Sequence, residues 1–180
     1  MRWPAASEPG ERALSEPEAD QCGGGGSARS CTIDRFFVDT NVLVYAFDPS
    51  HTAKHDRARA VLKVLGDLKN GVVSAQVLME FFVVLTRKLS PAVPRGVAER
   101  YVEDFVRSWE VVPLDGAVTL EALRGAGAHG FSPWDAQIWA AARLNRVGAV
   151  LSEDFSDGLF ADGVRFINPF SPAFQVDSLG

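Results

Sequence analysis

Cysteine is scarce in this chain. The 180 residues contain two, Cys22 and Cys31, both ahead of the first long apolar run. They build neither a disulfide framework nor a zinc-ligand spacing, and a reducing compartment, the cytoplasm, is the expected setting. A basic excess is missing too: 18 Lys and Arg stand against 23 Asp and Glu, a formal net charge of −5. A protein that coats nucleic acid indiscriminately needs the opposite balance, although nucleic acid held in one local groove remains compatible with it. Long hydrophobic runs are also lacking. The most apolar stretch, Val77 to Leu85, is interrupted by Glu80 and is too short to span a bilayer. The N-terminus has no apolar segment of the kind a secretory signal requires, so no membrane association is expected. No serine sits in a nucleophile elbow, and no glycine pattern forms a nucleotide loop. Histidine is nearly as rare. His51 and His55 flank a polar helix start and His129 stands alone among glycines, which disfavours a histidine metal site.

What is present divides into three stretches. Residues 1–34 read as a flexible tail, with Pro4, Pro9 and Pro17 among Glu, Ala and Ser, and a glycine run from Gly23 to Gly26. Such a segment buries too little apolar surface to offset its ordering entropy. Residues 35–170 read as one domain, and residues 171–180 as a C-terminal tail.

Within the domain, strand and helix signals alternate. Arg35 to Asp39 reads as a first strand, followed by a short helix through Phe47 and a break at Asp48-Pro49-Ser50. Thr52 to Lys69 has Ala58, Val61, Leu62, Leu65 and Leu68 on one helical face. Val72-Val73 is a second strand, and Ser74 can cap a helix from Ala75 to Lys88 whose nearly continuous apolar surface predicts complete burial. Pro94 opens a helix to Ser108, Glu110 to Pro113 forms a third strand, and Asp115 caps a helix ending near Arg124, with Gly125, Gly127 and Gly130 in a loop. Ser132-Pro133-Trp134-Asp135 opens a helix to Val147, with Gly148 just past its end. Ala149 to Ser152 is a fourth strand, Glu153 to Gly163 a polar turn region, and Val164 to Ile167 a fifth strand. The alternation predicts a three-layer α/β/α fold around a central five-stranded parallel sheet.

Four acids stand out by their surroundings. Asp39 and Asp154 each follow an apolar strand, and ligands of open α/β sheets bind beyond the carboxyl ends of strands. Either acid could instead be a plain cap. Glu80 interrupts the most apolar helix, where a carboxylate is costly to bury unless it is paired or binds a metal. Asp135 resembles the third residue of a capping box opened by Ser132, yet it shares a face with Ile138, Trp139 and Ala142. Two carboxylates about 5 Å apart at an effective dielectric near 20 repel by roughly 3 kcal/mol. Four converging carboxylates would therefore call for a hard cation with oxygen ligands, Mg²⁺ or Mn²⁺. Lys54, Arg57, Arg87, Lys88, Arg143 and Arg146 are candidates for a basic groove rim, or simply solvated helix faces. Phe81, Phe82, Trp109 and Trp139 read as core or interface residues, with the core the default.

The runs FVDTNVLVYA, SAQVLMEFF, SPWDAQIWAAA and VLSEDFSDG, taken in order over residues 35–170, resemble the PIN domain, and within it the VapC-type toxins of toxin–antitoxin pairs. The resemblance implies a Mg²⁺- or Mn²⁺-dependent ribonuclease. On its motif, Asp39, Glu80, Asp135 and Asp154 match the catalytic and metal-holding acids, and Asn41 and Asp157 are possible supporting residues. It also implies an RNA substrate, a cognate VapB-type antitoxin, and a homodimer. A long N-terminal segment departs from the family pattern. Two rivals remain. A haloacid-dehalogenase-type phosphatase also places an acid after its first strand but wants a second Asp two residues on, where this chain has Asn41. A catalytically inactive interaction module of the same fold would use the acids as caps.

Overall fold

The computed structural model describes residues 35–180. The tail read over residues 1–34, with both cysteines, lies outside the described residues. The elements run β1 (Phe36–Val38), α1 (Thr40–Phe47), α2 (Thr52–Leu68), β2 (Gly71–Ser74), α3 (Ala75–Arg87), α4 (Arg95–Ser108), β3 (Glu110–Val112), α5 (Gly116–His129), α6 (Pro133–Leu144), β4 (Ala149–Leu151), β5 (Phe160–Ala161) and β6 (Val164–Ile167), followed by a short 3₁₀ helix (Val176–Leu179). Among these described residues, no helix is long and apolar enough to cross a membrane.

The sheet order is β3-β2-β1-β4-β6-β5. The five strands β3, β2, β1, β4 and β6 are parallel to their neighbours, as the alternation predicts. Every residue of β1, β2 and β4 is buried, the pattern of strands covered on both faces. Successive connections carry the chain from β1 outward to β2 and β3, then back across to β4 on the other side of β1. The β1–β4 boundary is therefore the point where strand order reverses, the usual place for a ligand crevice.

Four features differ from the sequence reading. Residues 153–163 contain β5, which pairs antiparallel with β6. Asp162 and Gly163, with φ of 44° and 89°, form the two-residue turn whose handedness suits a hairpin; a two-residue strand is too short to show an alternation. Helix α5 continues to His129, so Gly125 and Gly127 are helical. Gly125 is required by packing, since a Cβ there would lie 2.4 Å from Cζ3 of the Trp139 ring. Helix α6 stops at Leu144, because Arg146 takes the left-handed conformation (φ 56°) that was expected of Gly148. Finally, α3 is not buried all round. Met79 is 60% exposed and Val83 37%, so an apolar helix here presents one uncovered face.

The C-terminal residues, read as a tail, pack back on the domain. Phe174 and Leu179 are buried, Arg57 donates to the Phe174 carbonyl at 2.8 Å, and Asn70 Nδ2 donates to the Leu179 carbonyl at 3.1 Å. The core joins strand residues Phe37, Val38, Val73, Val150 and Phe166 to Leu43, Leu65, Phe81, Leu85 and Trp139 from the helices.

Candidate active site

Asp39 stands where β1 passes into α1. Its backbone stays extended (φ −77°, ψ 160°) as the N-cap of α1, and its N–H donates to the Leu151 carbonyl at 3.0 Å. The β1–β4 pairing thus extends to the acid and fixes its position. Oδ1 accepts from the Thr40 N–H at 2.5 Å. Oδ2 accepts from Ser152 Oγ at 2.6 Å and from Asn41 Nδ2 at 3.1 Å. The residue is 4% exposed. Burial pushes its pKa up to about 7. The Ser152 and Thr40 hydrogen bonds oppose that rise, and the charges of Asp154 and Glu80 add to it.

The other three acids reach the same cavity from different elements. Glu80, half-buried on α3, accepts from Thr40 Oγ1 at 3.0 Å and from Gln76 Nε2 at 2.8 Å. Asp135, in the first turn of α6, is held by one hydroxyl: Ser132 Oγ accepts from the Asp135 N–H at 3.2 Å and donates to Oδ2 at 2.8 Å. Asp154, beyond β4, donates its N–H to Ser152 Oγ at 3.1 Å, and its Oδ2 lies 3.0 Å from Asn41 Nδ2. Asp39, Glu80, Asp135 and Asp154 together line a cavity of about 530 Å³, with Thr40, Asn41, Gln76 and Trp134 among its walls. Capping and convergence coexist at Asp39 and Asp135.

The supporting candidates separate. Asn41 sits among the acids, its amide within reach of Asp39, Ser152 and Asp154. An amide that donates to Asp39 does the opposite of the second acid a dehalogenase-type phosphatase would place there. Asp157 does not line the cavity. Its Oδ1 accepts from the Asn168 N–H at 2.9 Å, pinning the turn after β4 to the end of β6. Sequence reasoning gave no role to Ser152 or Gln76. Ser152 is fully buried and links Asp39 to Asp154 through one hydroxyl. The signal available for it was its place as the last residue before the acidic pair at the end of β4.

The cavity is built to leave negative charge unneutralised. No lysine or arginine is among its lining residues. Of the cations singled out in the sequence, Lys54 meets Glu153 at 2.5 Å, Arg57 the Phe174 carbonyl and Arg143 Glu121 at 2.6 Å, while Lys88 borders an adjoining pocket with Thr40 and Glu80. Two buried oxygens, Asn41 Oδ1 and Gln76 Oε1, have no hydrogen-bond donor. Carboxylate and amide oxygens with no protein cation are a donor set suited to a hard divalent ion. Among the described residues, no three Asp, Glu, His or Cys side chains stand close enough to enclose an ion unaided. An ion here would keep water among its ligands, as Mg²⁺ does readily.

With this geometry in view, a family match and one solved structure support the fold. The family described as PIN domain matches residues 36–156. A toxin–antitoxin complex from Klebsiella pneumoniae contains a chain similar to this one at 18% identity and a TM-score of 0.56, covering 74% of this chain and 96% of that one. A sarcin–ricin-loop-cleaving toxin, VapC20 of Mycobacterium tuberculosis, aligns at 20% identity and a TM-score of 0.49, over 64% of this chain and 86% of that one. VapBC2 from Rickettsia felis, bound to a promoter DNA fragment, aligns at 16% identity and a TM-score of 0.45, over 65% and 85% respectively. Comparison with curated proteins finds no match.

Proposed function

The chain belongs to the PIN-domain family, and from that premise we propose that it is a metal-dependent endoribonuclease, the toxin of a toxin–antitoxin pair. One observation carries the reading: a buried Asp39, with its pKa raised to about 7, faces Asp154 and Glu80 without a neutralising lysine or arginine. A buried, uncompensated carboxylate is costly, and such arrangements gather at functional sites. A plain cap would need neither the burial nor the second and third acids.

In this reading Asp39, Glu80, Asp135 and Asp154 hold Mg²⁺ or Mn²⁺. A bound divalent ion supplies electrophilic assistance to a phosphodiester and makes water a better nucleophile. The remaining work falls to side chains. Thr40, Ser152 and Asn41 occupy Asp39 with donors and so keep its carboxylate aimed; the Ser152 and Thr40 bonds also oppose the rise in pKa that burial causes. Ser132 likewise fixes the direction of Asp135. An acid at the rim of the cavity can take a proton from the attacking water; Asp154, more exposed than Asp39, suits that role. Lys88 borders a neighbouring shallow pocket with Thr40 and Glu80 and is placed to meet the RNA backbone.

A VapB-type antitoxin is the proposed partner, in keeping with the toxin–antitoxin complex from Klebsiella pneumoniae. A second cleft of about 680 Å³ lies across the 48–51 turn from the acids, lined by Phe47, Tyr101, Phe105 and Trp109 with Arg59 and Lys63. An amphipathic antitoxin segment could lay apolar side chains there and cover the acids with its continuation. A second copy of this chain is the other proposed partner, for which Met79 and Val83 on α3 leave an apolar surface. The deciding experiment is cleavage of RNA by purified protein with Mn²⁺, with EDTA, and with Asp39→Asn. Cleavage that needs both metal and Asp39 supports the reading. Cleavage that survives EDTA or the substitution, or no cleavage together with no divalent-ion binding by calorimetry, overturns it.

A further inference from the structure

Trp134 is the most exposed tryptophan among the described residues. It is 64% exposed, although an indole is among the side chains with most to gain from burial. The other two described tryptophans are held by rings. Trp109 meets Phe105 edge-on at 5.4 Å, and Trp139 meets His129 at 5.3 Å while its indole N–H donates to the Ala161 carbonyl at 3.1 Å. No aromatic contact holds Trp134 among the described residues. It belongs to the first turn of α6, next to Pro133 and Asp135, so its backbone is fixed. It also forms part of the wall of the acid cavity. A mostly exposed indole on a helix-fixed backbone therefore stands in the wall that it shares with the carboxylates.

The charge of the cavity says what that face can receive. With no lysine or arginine in the lining, Lys88 only in the adjoining pocket, and a chain of net charge −5, the cavity offers a polyanion limited electrostatic attraction. Stacking on an aromatic ring supplies affinity without cations, and every nucleobase has a face to offer. A base paired within a duplex is already stacked and cannot turn onto the ring.

Resting on the ribonuclease reading, we propose that Trp134 is a stacking platform for an unpaired base next to the scissile phosphate. Trp134 is a binding residue in this scheme, and the carboxylates do the chemistry.

The test uses the full chain and two variants, Trp134→Ala and Trp134→Phe. Binding is followed by fluorescence anisotropy of a short labelled single-stranded RNA, in EDTA so that nothing is cut, and of the same RNA annealed to its complement. The expected result is about tenfold weaker single-strand binding by Trp134→Ala, most of it restored in Trp134→Phe. The parent protein should prefer single strand to duplex, and Trp134→Ala should lose that preference. Cleavage by the same proteins in Mn²⁺ should show the loss in KM rather than in kcat. Replacing the base beside the cut by an abasic site should weaken the parent as much as Trp134→Ala does, and weaken Trp134→Ala no further. Unchanged single-strand binding in Trp134→Ala, or equal binding of duplex by the parent, overturns the proposal and assigns the indole to a protein contact. RNA that is bound through Trp134 but never cut would sink the nuclease reading and leave the stacking assignment standing. Cleavage indifferent to Trp134 would do the reverse.

Discussion

The two ends of α6 carry opposite electrostatic designs. At the first turn, Asp135 opens onto a cavity shared with Asp39, Glu80 and Asp154, and no lysine or arginine is among the lining. At the last turn, Arg143 meets Glu121 at 2.6 Å, Arg124 bridges Glu121 and Asp162 at 2.8 and 2.7 Å, and His129 reaches Asp162 at 3.2 Å. Arg124 holds the Glu121 and Asp162 carboxyls below their ordinary range, whereas burial holds Asp39 well above it. Both regions are rich in acids. One balances its charge from within the chain, and the other has no lysine or arginine in its lining to do so. Trp139, buried between α5 and α6, connects the two: the Arg124 and Arg143 guanidiniums lie 5.0 and 5.7 Å from its ring, and Asp135 is one helical turn before it.

The largest effect should come from removing charge at the unbalanced end. Under the proposed function, Asp39→Asn should lower metal-dependent RNA cleavage by about three orders of magnitude or more, since it removes the proposed central ligand while keeping the side-chain shape. Its effect on stability should run the other way. A carboxyl whose folded pKa is raised costs stability; that cost is absent below the unfolded value of 3.8 and grows as pH rises to about 7. The full shift corresponds to roughly 4 kcal/mol, an upper bound because the site relaxes. Relative to Asp39→Asn, the metal-free parent should therefore lose stability to denaturant from pH 4 to pH 8. At pH 8 in EDTA, the variant should be the more stable protein by about 1–3 kcal/mol. Mn²⁺ should stabilise the parent and leave the variant unmoved. A parent protein whose metal-free stability rises relative to Asp39→Asn from pH 4 to pH 8 would contradict the contrast between the two ends.

A smaller effect should follow from disturbing the link between them. Gly125→Ala places a Cβ within 2.4 Å of the buried Trp139 ring. Overpacking of that kind costs about 1–3 kcal/mol, read as a lower denaturation midpoint. If Trp139 also fixes α6, cleavage should fall a few-fold because Asp135 shifts, with KM and kcat both affected. Full activity alongside lost stability would mean that the first turn of α6 is held by Ser132 alone.

The unbalanced end was the more legible of the two in the sequence. Asp39 and Asp154 follow apolar strands and Glu80 breaks an apolar helix, so each violates the local pattern, and a violated pattern can be seen without coordinates. The parallel sheet was legible for the same reason, since β1, β2 and β4 are apolar at every position that matters. Ser152 and Gln76 were hidden because a small polar residue at a strand or helix end is ordinary. The balanced end was almost invisible. Arg124, Arg143, Glu121 and Asp162 look like any solvated charges until the fold brings residues 22 and 38 positions apart together. Gly125 misled because a glycine-rich stretch suggests a loop, when the demand for glycine came from a tryptophan on the next helix. The exposed face of α3 misled because amphipathicity reports burial only when the uncovered side is polar, and here it carries Met79 and Val83.

The smallest effect should come from the balanced end itself. Glu121→Gln removes the carboxylate shared by Arg124 and Arg143 and leaves an isosteric amide that can still accept one hydrogen bond. Both arginines are partly exposed, at 45% and 37%, so water takes over much of what the carboxylate provided, and such pairs contribute little. The expected change is a fall in Tm of about 2–4 °C near neutral pH, within the range for a loss near 1 kcal/mol in a domain of this size. The sign with pH is the reverse of that for Asp39. A depressed carboxyl adds stability above its unfolded value of 4.5 and loses it as pH falls through the lower folded value. The difference between parent and Glu121→Gln should therefore be present at pH 7 and vanish in acid. Cleavage and Mn²⁺ binding should be unchanged. If Glu121→Gln instead abolished metal binding while Asp39→Asn left it intact, the assignment of roles to the two ends of α6 would have to be exchanged.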